Sequence, residues 1–229
     1  MVDVFAHRGV HYTERENTLA SFAAAVALGV DGVELDVRET LDGKLVIHHD
    51  PAANGLIISQ SQAASLPSYV PSLVGAINAL EGLTINVEIK NSRSPSEPTY
   101  DETGDFARRV VTALHDVGRT ERVIVTCFDV ATCAVVRSFD RELNVGWLVW
   151  NVDLRSAVVQ AHVLGFNAVN PHFSLVTDEV VREAKELDVD VNVWTVNAPS
   201  DMAAMAKLGV ASIITDDPAL ARDVVANLV

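Results

Sequence analysis

Cysteine is nearly absent from this chain: Cys127 and Cys133 are the only two in 229 residues. Their spacing matches no metal-binding motif, and two thiols in a chain this long make no disulfide framework. Both read as small buried hydrophobes. Basic residues are scarce as well. Seventeen Lys and Arg stand against 31 Asp and Glu, a formal net charge of −14, which disfavours nucleic acid or an anionic bilayer as a partner. An anionic small molecule must then be drawn by local cations or a metal, not by the whole surface. No apolar run approaches the roughly 18 residues of a membrane span. The start, MVDVFAHRG, lacks a cationic segment followed by an apolar stretch, so no signal peptide is expected. These absences predict a cytoplasmic protein without stable membrane association. No repeat and no separating linker is found, so residues 1–229 are expected to form a single domain.

What the chain does hold is alternation. Short β-branched runs mark strands near Asp3–Ala6, Val33–Val37, Thr84–Ile89, Val123–Cys127, Val145–Val149, Ala168–Asn170, Val191–Val196 and Ser212–Thr215. Ala-rich stretches between them predict helices near Leu19–Leu28, Leu73–Leu80, Phe106–Val117, Val130–Phe139, Leu154–Leu164, Asp178–Leu187, Ser200–Lys207 and Pro218–Leu228. Thr177 reads as a helix start, as does the run Asn197-Ala-Pro-Ser, and Gly29, Gly118, Gly165 and Gly209 read as helix ends. Eight βα units predict an α/β fold closed as a parallel TIM (β/α)8 barrel. An open Rossmann sheet needs a Gly-rich turn after its first strand, where only Gly9 stands.

Two segments interrupt the pattern. LDGKLVIHHD at 41–50 predicts a hairpin turning on Asp42-Gly43, within a small insertion over about residues 41–70 after the second strand. NSRSPSEPTYD at 91–101 is rich in Ser and Pro and predicts a mobile loop.

The chemistry lies in charges that apolar strands should not contain. In a strand, residues two apart share a face, so Glu34 and Asp36 of GVELDV project together, as do Glu88 and Lys90 of NVEIK. Buried carboxylates without a cationic partner cost several kcal/mol each, and a divalent metal holding a phosphate is the simplest partner. Three carboxylates form a hard oxygen shell, which favours Mg²⁺ or Ca²⁺, with Mn²⁺ possible, over zinc. The Arg8 fork suits a nonbridging phosphate oxygen, and Lys90 adds a point charge. His7 and His49 come from distant segments and can flank one scissile bond as acid and base. Trp194 is placed to wall a substrate pocket. Asp50 is placed to orient the hairpin, and His48, alternating with His49, points away. His11 and His172 fall in loops at the same face.

With those residues in view, the chain resembles the glycerophosphodiester phosphodiesterase family. The matching elements are AHRG at 6–9, ENTLASF at 16–22, Glu34 and Asp36, LDGKLVIHHDP at 41–51, NVEIK at 86–90, VNVWTVN at 191–197 and IITDDP at 213–218. The resemblance implies a TIM barrel, with Glu34, Asp36 and Glu88 as metal ligands, His7 and His49 as the acid/base pair, and Arg8 and Lys90 on phosphate. It implies metal-dependent hydrolysis of a small glycerophosphodiester to sn-glycerol 3-phosphate and an alcohol. The residues are compatible with attack by the neighbouring glycerol hydroxyl, through a cyclic phosphate, and with direct attack by water. The chain departs from the family pattern after HDP, where AANGLIISQSQ stands, and at Cys127-Phe128, where Ser-Phe is expected. Two other readings stay open: a related barrel lyase or phospholipase D acting on lysophospholipids, and a noncatalytic barrel that binds a phosphorylated metabolite.

Overall fold

A computed structural model describes residues 2–228. The first unit is β1 (Asp3–His7) and α1 (Leu19–Leu28). Then come β2 (Gly32–Glu39), β3 (Leu45–Ile47), β4 (Ala52–Ala53), β5 (Leu56–Ile57) and α2 (Leu73–Ala79). Six further pairs follow: β6 (Thr84–Ile89) with α3 (Asp105–Asp116), β7 (Val123–Cys127) with α4 (Val130–Phe139), and β8 (Asn144–Val149) with α5 (Leu154–Leu164). The last are β9 (Ala168–Pro171) with α6 (Asp178–Glu186), β10 (Asp190–Val193) with α7 (Pro199–Leu208), and β11 (Ser212–Thr215) with α8 (Pro218–Ala226).

Eight of these strands run parallel in the order β2-β6-β7-β8-β9-β10-β11-β1, and β1 pairs back onto β2 through Phe5↔Gly32 and His7↔Glu34. The sheet therefore closes into the expected barrel. Closure leaves no parallel edge to satisfy, and the helices cover the outer face, so the strands are buried on both sides. Each helix turns an apolar stripe inward; α3, for example, buries Phe106, Val110, Val111 and Leu114.

Local signals set the boundaries. Thr18, Asp129, Asp153, Thr177 and Asp217 accept a backbone N–H at the starts of α1, α4, α5, α6 and α8. Gly29, Gly165 and Gly209 end α1, α5 and α7 in the left-handed conformation. Gly32 is a close-approach glycine: a Cβ there would lie 2.7 Å from the Phe5 ring.

Three sequence expectations need correction. The strand expected over 191–196 ends at Val193, and Trp194 keeps only a bridge to His172. Asn197 does not start α7, which begins with Pro199 in its first turn and has no side-chain cap. The 91–101 loop is tethered. Glu97 accepts from Arg38 Nη1 and Nη2 at 2.7 and 2.9 Å, and Asn91 and Asp101 exchange two hydrogen bonds.

The insertion lies where it was expected. β3 pairs antiparallel with the end of β2, in the register Val37↔Ile47, and β4 and β5 form a separate small ribbon. Val46, Ala53 and Ile58 give this segment its own small core.

Candidate active site

The carboxyl ends of β1, β2 and β6 bring the strand-borne charges together, and the hairpin adds His49. One cavity of about 150 Å³ is lined by His7, Arg8, Glu34, His49, Glu88 and Lys90, with Phe128 and Trp194 among its other walls. A larger cavity of about 240 Å³ shares Lys90 with it and is bounded by Arg38, Asn91 and Tyr100. Asp36 is buried beneath the first group, and one oxygen each of Glu34, Asp36 and Glu88 lies within 4.8 Å of the others.

Arg8 and Lys90 bind these carboxylates tightly. Lys90 Nζ lies 2.8 Å from Glu88 and 3.4 Å from Asp36. Arg8 Nε lies 3.3 Å from Asp36, while its Nη1 holds Glu16 at 3.0 Å. Burial alone would raise Asp36, but Lys90, Arg8 and His49 overrule it and hold this carboxyl far below the usual range. Glu34 goes the other way: burial, then Asp36 and Glu88, push its carboxyl well above the usual value. Burial opposes the charge of Lys90, yet Glu88 and Asp36 push its ammonium above the ordinary lysine range.

Two left-handed residues shape the turn beneath the site. Arg8 has φ 57° and Asn17 φ 55°, a region that side chains other than glycine seldom adopt. The Asn17 amide donates to Asp36 at 2.7 Å, and its backbone N–H donates to the Arg8 carbonyl. Gly9 completes the turn at φ 81°, where a Cβ would strike Ser21 at 2.5 Å.

Each histidine is held by a carboxylate. His7 Nδ1 lies 2.6 Å from Asp216 Oδ1, and His49 Nδ1 lies 2.9 Å from Asp50 Oδ1. Burial would raise Asp216, but hydrogen bonds from His7 and His11 keep it far below the usual carboxylate range, so it is ionised and must accept. Nδ1 of His7 therefore donates to Asp216, and Nε2, 3.8 Å from Glu34, is left for proton transfer. Asp50 is likewise lowered by its bond to His49, which leaves Nε2 of His49 for proton transfer by the same argument.

Sequence reasoning left Asp216, His11 and Asn197 without a catalytic role at this face. His11 Nε2 shares Asp216 Oδ1 at 2.9 Å, and Asn197 donates to Asp216 Oδ2 at 2.7 Å. Glu16, Asn17 and Asp216 stood in the quoted motifs without a role of their own. Of the remaining histidines, His48 packs near Tyr69 and is absent from the cavity wall, as its alternation with His49 required. Burial raises both thiols, Cys127 to about 12, which fits inert core residues.

The donor set also fits a hard divalent cation. Three carboxylate oxygens converge, and Asp36 Oδ1 is buried with no hydrogen bond, facing only the Lys90 ammonium at 3.4 Å, which Glu88 holds more closely at 2.8 Å. A divalent cation between the three oxygens would relieve the crowding that this one ammonium shares.

Residues 7–220 match the model of the glycerophosphoryl diester phosphodiesterase family. The chain belongs to this family. Among curated relatives, a glycerophosphodiester phosphodiesterase of Caldanaerobacter subterraneus subsp. tengcongensis is 29% identical, with 94% of each chain covered. Among solved structures, a glycerophosphodiester phosphodiesterase from Parabacteroides distasonis superposes with TM-score 0.87 at 25% identity, covering 99% of this chain and 98% of that one. An Oleispira antarctica phosphodiesterase in complex with the product sn-glycerol-3-phosphate shares the fold, with TM-score 0.85 and 22% identity over 98% and 96% of the two chains.

Proposed function

We propose that this chain, acting as one barrel domain, hydrolyses glycerophosphodiesters to sn-glycerol 3-phosphate and an alcohol, with His7 and His49 as the acid/base pair. The observation that carries the reading is a single cavity where both histidines face Glu34, Glu88, Arg8 and Lys90. Family membership and the product named in the Oleispira structure support the substrate class.

Glu34, Asp36 and Glu88 would hold a divalent cation, Mg²⁺ or Ca²⁺, which polarises phosphorus–oxygen bonds when bound. The chain's own groups do the rest. Arg8 and Lys90 orient the phosphate and neutralise its charge. One histidine takes the proton from the attacking oxygen at Nε2, and the other delivers a proton to the leaving alkoxide. Asp216 and Asp50 hold the rings so that both Nε2 atoms face the bond being cut. Trp194 fixes one cavity wall, because its indole N–H is anchored on the Asn170 carbonyl at 2.6 Å. Among the described residues, no helix is long and apolar enough to cross a membrane.

The test is release of glycerol 3-phosphate from glycerophosphocholine, glycerophosphoethanolamine and glycerophosphoinositol after EDTA treatment, then with Mg²⁺, Ca²⁺ or Mn²⁺ restored. Metal-dependent release is the expected result. A folded protein that releases none with any metal, yet cleaves lysophospholipid, would replace this reading with the lipid one.

A further inference from the structure

Four consecutive barrel strands each end one residue before an aromatic ring: Phe128 after β7, Trp150 after β8, His172 after β9 and Trp194 after β10. The other four, β11, β1, β2 and β6, bring Asp216, His7, the metal-type carboxylates and Lys90. The barrel mouth is thus divided into a charged half and an aromatic half. The rings form one connected wall. Phe128 meets Trp194 edge to face at 5.5 Å, and Trp150 lies 5.6 Å from Trp194 at a tilt of 33°. His172 packs edge-on to Trp150 at 4.2 Å.

The wall is continuous with the catalytic cavity and open outward. Phe128 and Trp194 line that cavity, while Trp150 is 46% and Phe128 37% exposed. A phosphate held by Arg8 and Lys90 must therefore place one of its two ester substituents toward the rings. Glycerol suits that side poorly: besides Phe128, Leu148, Trp194 and Ile214 its lining has the hydroxyls of Thr195 and Thr126, and Thr126 Oγ1 already donates to Asn86 at 2.8 Å. Unpaired hydroxyls there would lose their hydrogen bonds to water. The alcohol portion is left for the wall.

Charge selects among alcohols. Aromatic faces carry negative potential and attract cations, and the cavity's own cations, Arg8 and Lys90, belong to the opposite half. His172 adds no competing charge, since burial lowers its affinity for a proton and Nδ1 bonds Ser174 at 2.7 Å. A quaternary ammonium fits best, because it has no N–H to satisfy and keeps little of its hydration.

We propose that Phe128, Trp150 and Trp194 form the subsite for the alcohol portion of the substrate and select a quaternary ammonium head group. The proposal rests on the phosphodiesterase reading above. Its test compares kcat/KM for glycerophosphocholine with that for the glycerophosphoryl ester of 3,3-dimethylbutanol, which has the same shape with carbon in place of charged nitrogen. The native protein should favour the choline ester by about tenfold. Phe128→Leu and Trp150→Leu, which keep apolar bulk but remove the ring, should bring that ratio toward one, mainly through KM. Equal rates on the two esters, or preference for the neutral one, would show a merely apolar wall and overturn the selection. A ratio unchanged in both variants would overturn the placement. No hydrolysis of either ester, with metal restored, would instead sink the phosphodiesterase reading. Quenching of tryptophan fluorescence by choline alone, weakened in Trp150→Leu, reports on the wall without turnover. Its absence from the native protein would count against the subsite whatever the activity.

Discussion

Glu97→Gln tests whether the 91–101 loop is part of the catalytic apparatus. Arg38 and Glu97 form a two-pronged ion pair whose side chains are only 7% and 11% exposed. The same guanidinium donates from Nε to the His49 carbonyl at 2.9 Å, so one cation ties the loop to the backbone of a proposed catalytic residue. Removing one partner of a buried pair costs about 3–5 kcal/mol. Here Arg38 keeps its bonds to His49, and the surface loop can admit water to the freed guanidinium. About 2–3 kcal/mol is therefore expected, or a fall of about 4–12 °C in melting temperature for a domain of this size. Turnover should fall about tenfold, because a small displacement of an acid/base group is expensive in rate. Thermal denaturation and initial rates on glycerophosphocholine measure the two effects. In a double-mutant cycle with Arg38→Met, the pair should show coupling of about 1 kcal/mol or more. A Glu97→Gln protein that melts within about 1 °C of the parent with unchanged turnover would refute the reasoning.

Four further outcomes follow from the site. His49→Ala should lower turnover by roughly 10²-fold or more with circular dichroism unchanged; parental activity would remove His49 from the mechanism. Glu88→Gln should raise the metal concentration needed for half-maximal rate, with excess metal restoring part of the activity, as a metal titration of initial rates would show. Glu34→Gln should make the metal-free protein more resistant to urea while abolishing activity, since it removes the carboxylate that Asp36 and Glu88 crowd; an unchanged urea midpoint would contradict that repulsion. Asp216 contributes stability of the depressed-carboxylate kind, present above its ordinary value of 3.8 and lost as pH falls through the lower folded value. The difference in urea midpoint between the parent and Asp216→Asn should be present at about pH 5 and shrink below about pH 4; a gap that goes on widening below about pH 4 would reverse the assignment.

The strands and helices were legible because parallel strands covered on both faces must be continuous apolar runs, and the helices between them follow their own period. The same rule exposed Glu34, Asp36, Glu88 and Lys90: charges in such a run need a reason. Nothing comparable gave Asp216 or His11 a role. Polar residues just past a strand look like ordinary turn residues, and Asp216 gains its meaning only when ring closure brings it to His7, 209 positions away in sequence. Asn197 was misread as a helix cap because Asn before Pro and Ser carries that signal, whereas its amide and carbonyl serve Asp216 and Thr215. The 91–101 loop read as mobile from Ser and Pro alone, since its tether to Arg38 spans 59 positions. The aromatic wall was legible only as Trp194, because four rings on four strands become one surface only after the barrel is closed.

Glu34 and Asp36 show why the site does more than stabilise the barrel. By sequence they are equivalent: two carboxylates, two positions apart, on one face of β2, both buried. Burial pushes both upward, yet Asp36 ends far below the usual range and Glu34 well above it. The difference is the company each keeps. Asp36 has Lys90, Arg8 and the Asn17 amide; Glu34 has Asp36 and Glu88 on its flanks, and the same two cations are shared too thinly to offset them. Three carboxylates against two cations, one of which also serves Glu16, leave negative charge in excess, which a site built only for stability would remove with a neutral residue. A bound divalent cation would offset that excess and make room for the charge of a phosphodiester monoanion. On the proposed reading, the surplus carboxylate would let a chain of net charge −14 hold an anionic substrate, with the attraction confined to the barrel mouth.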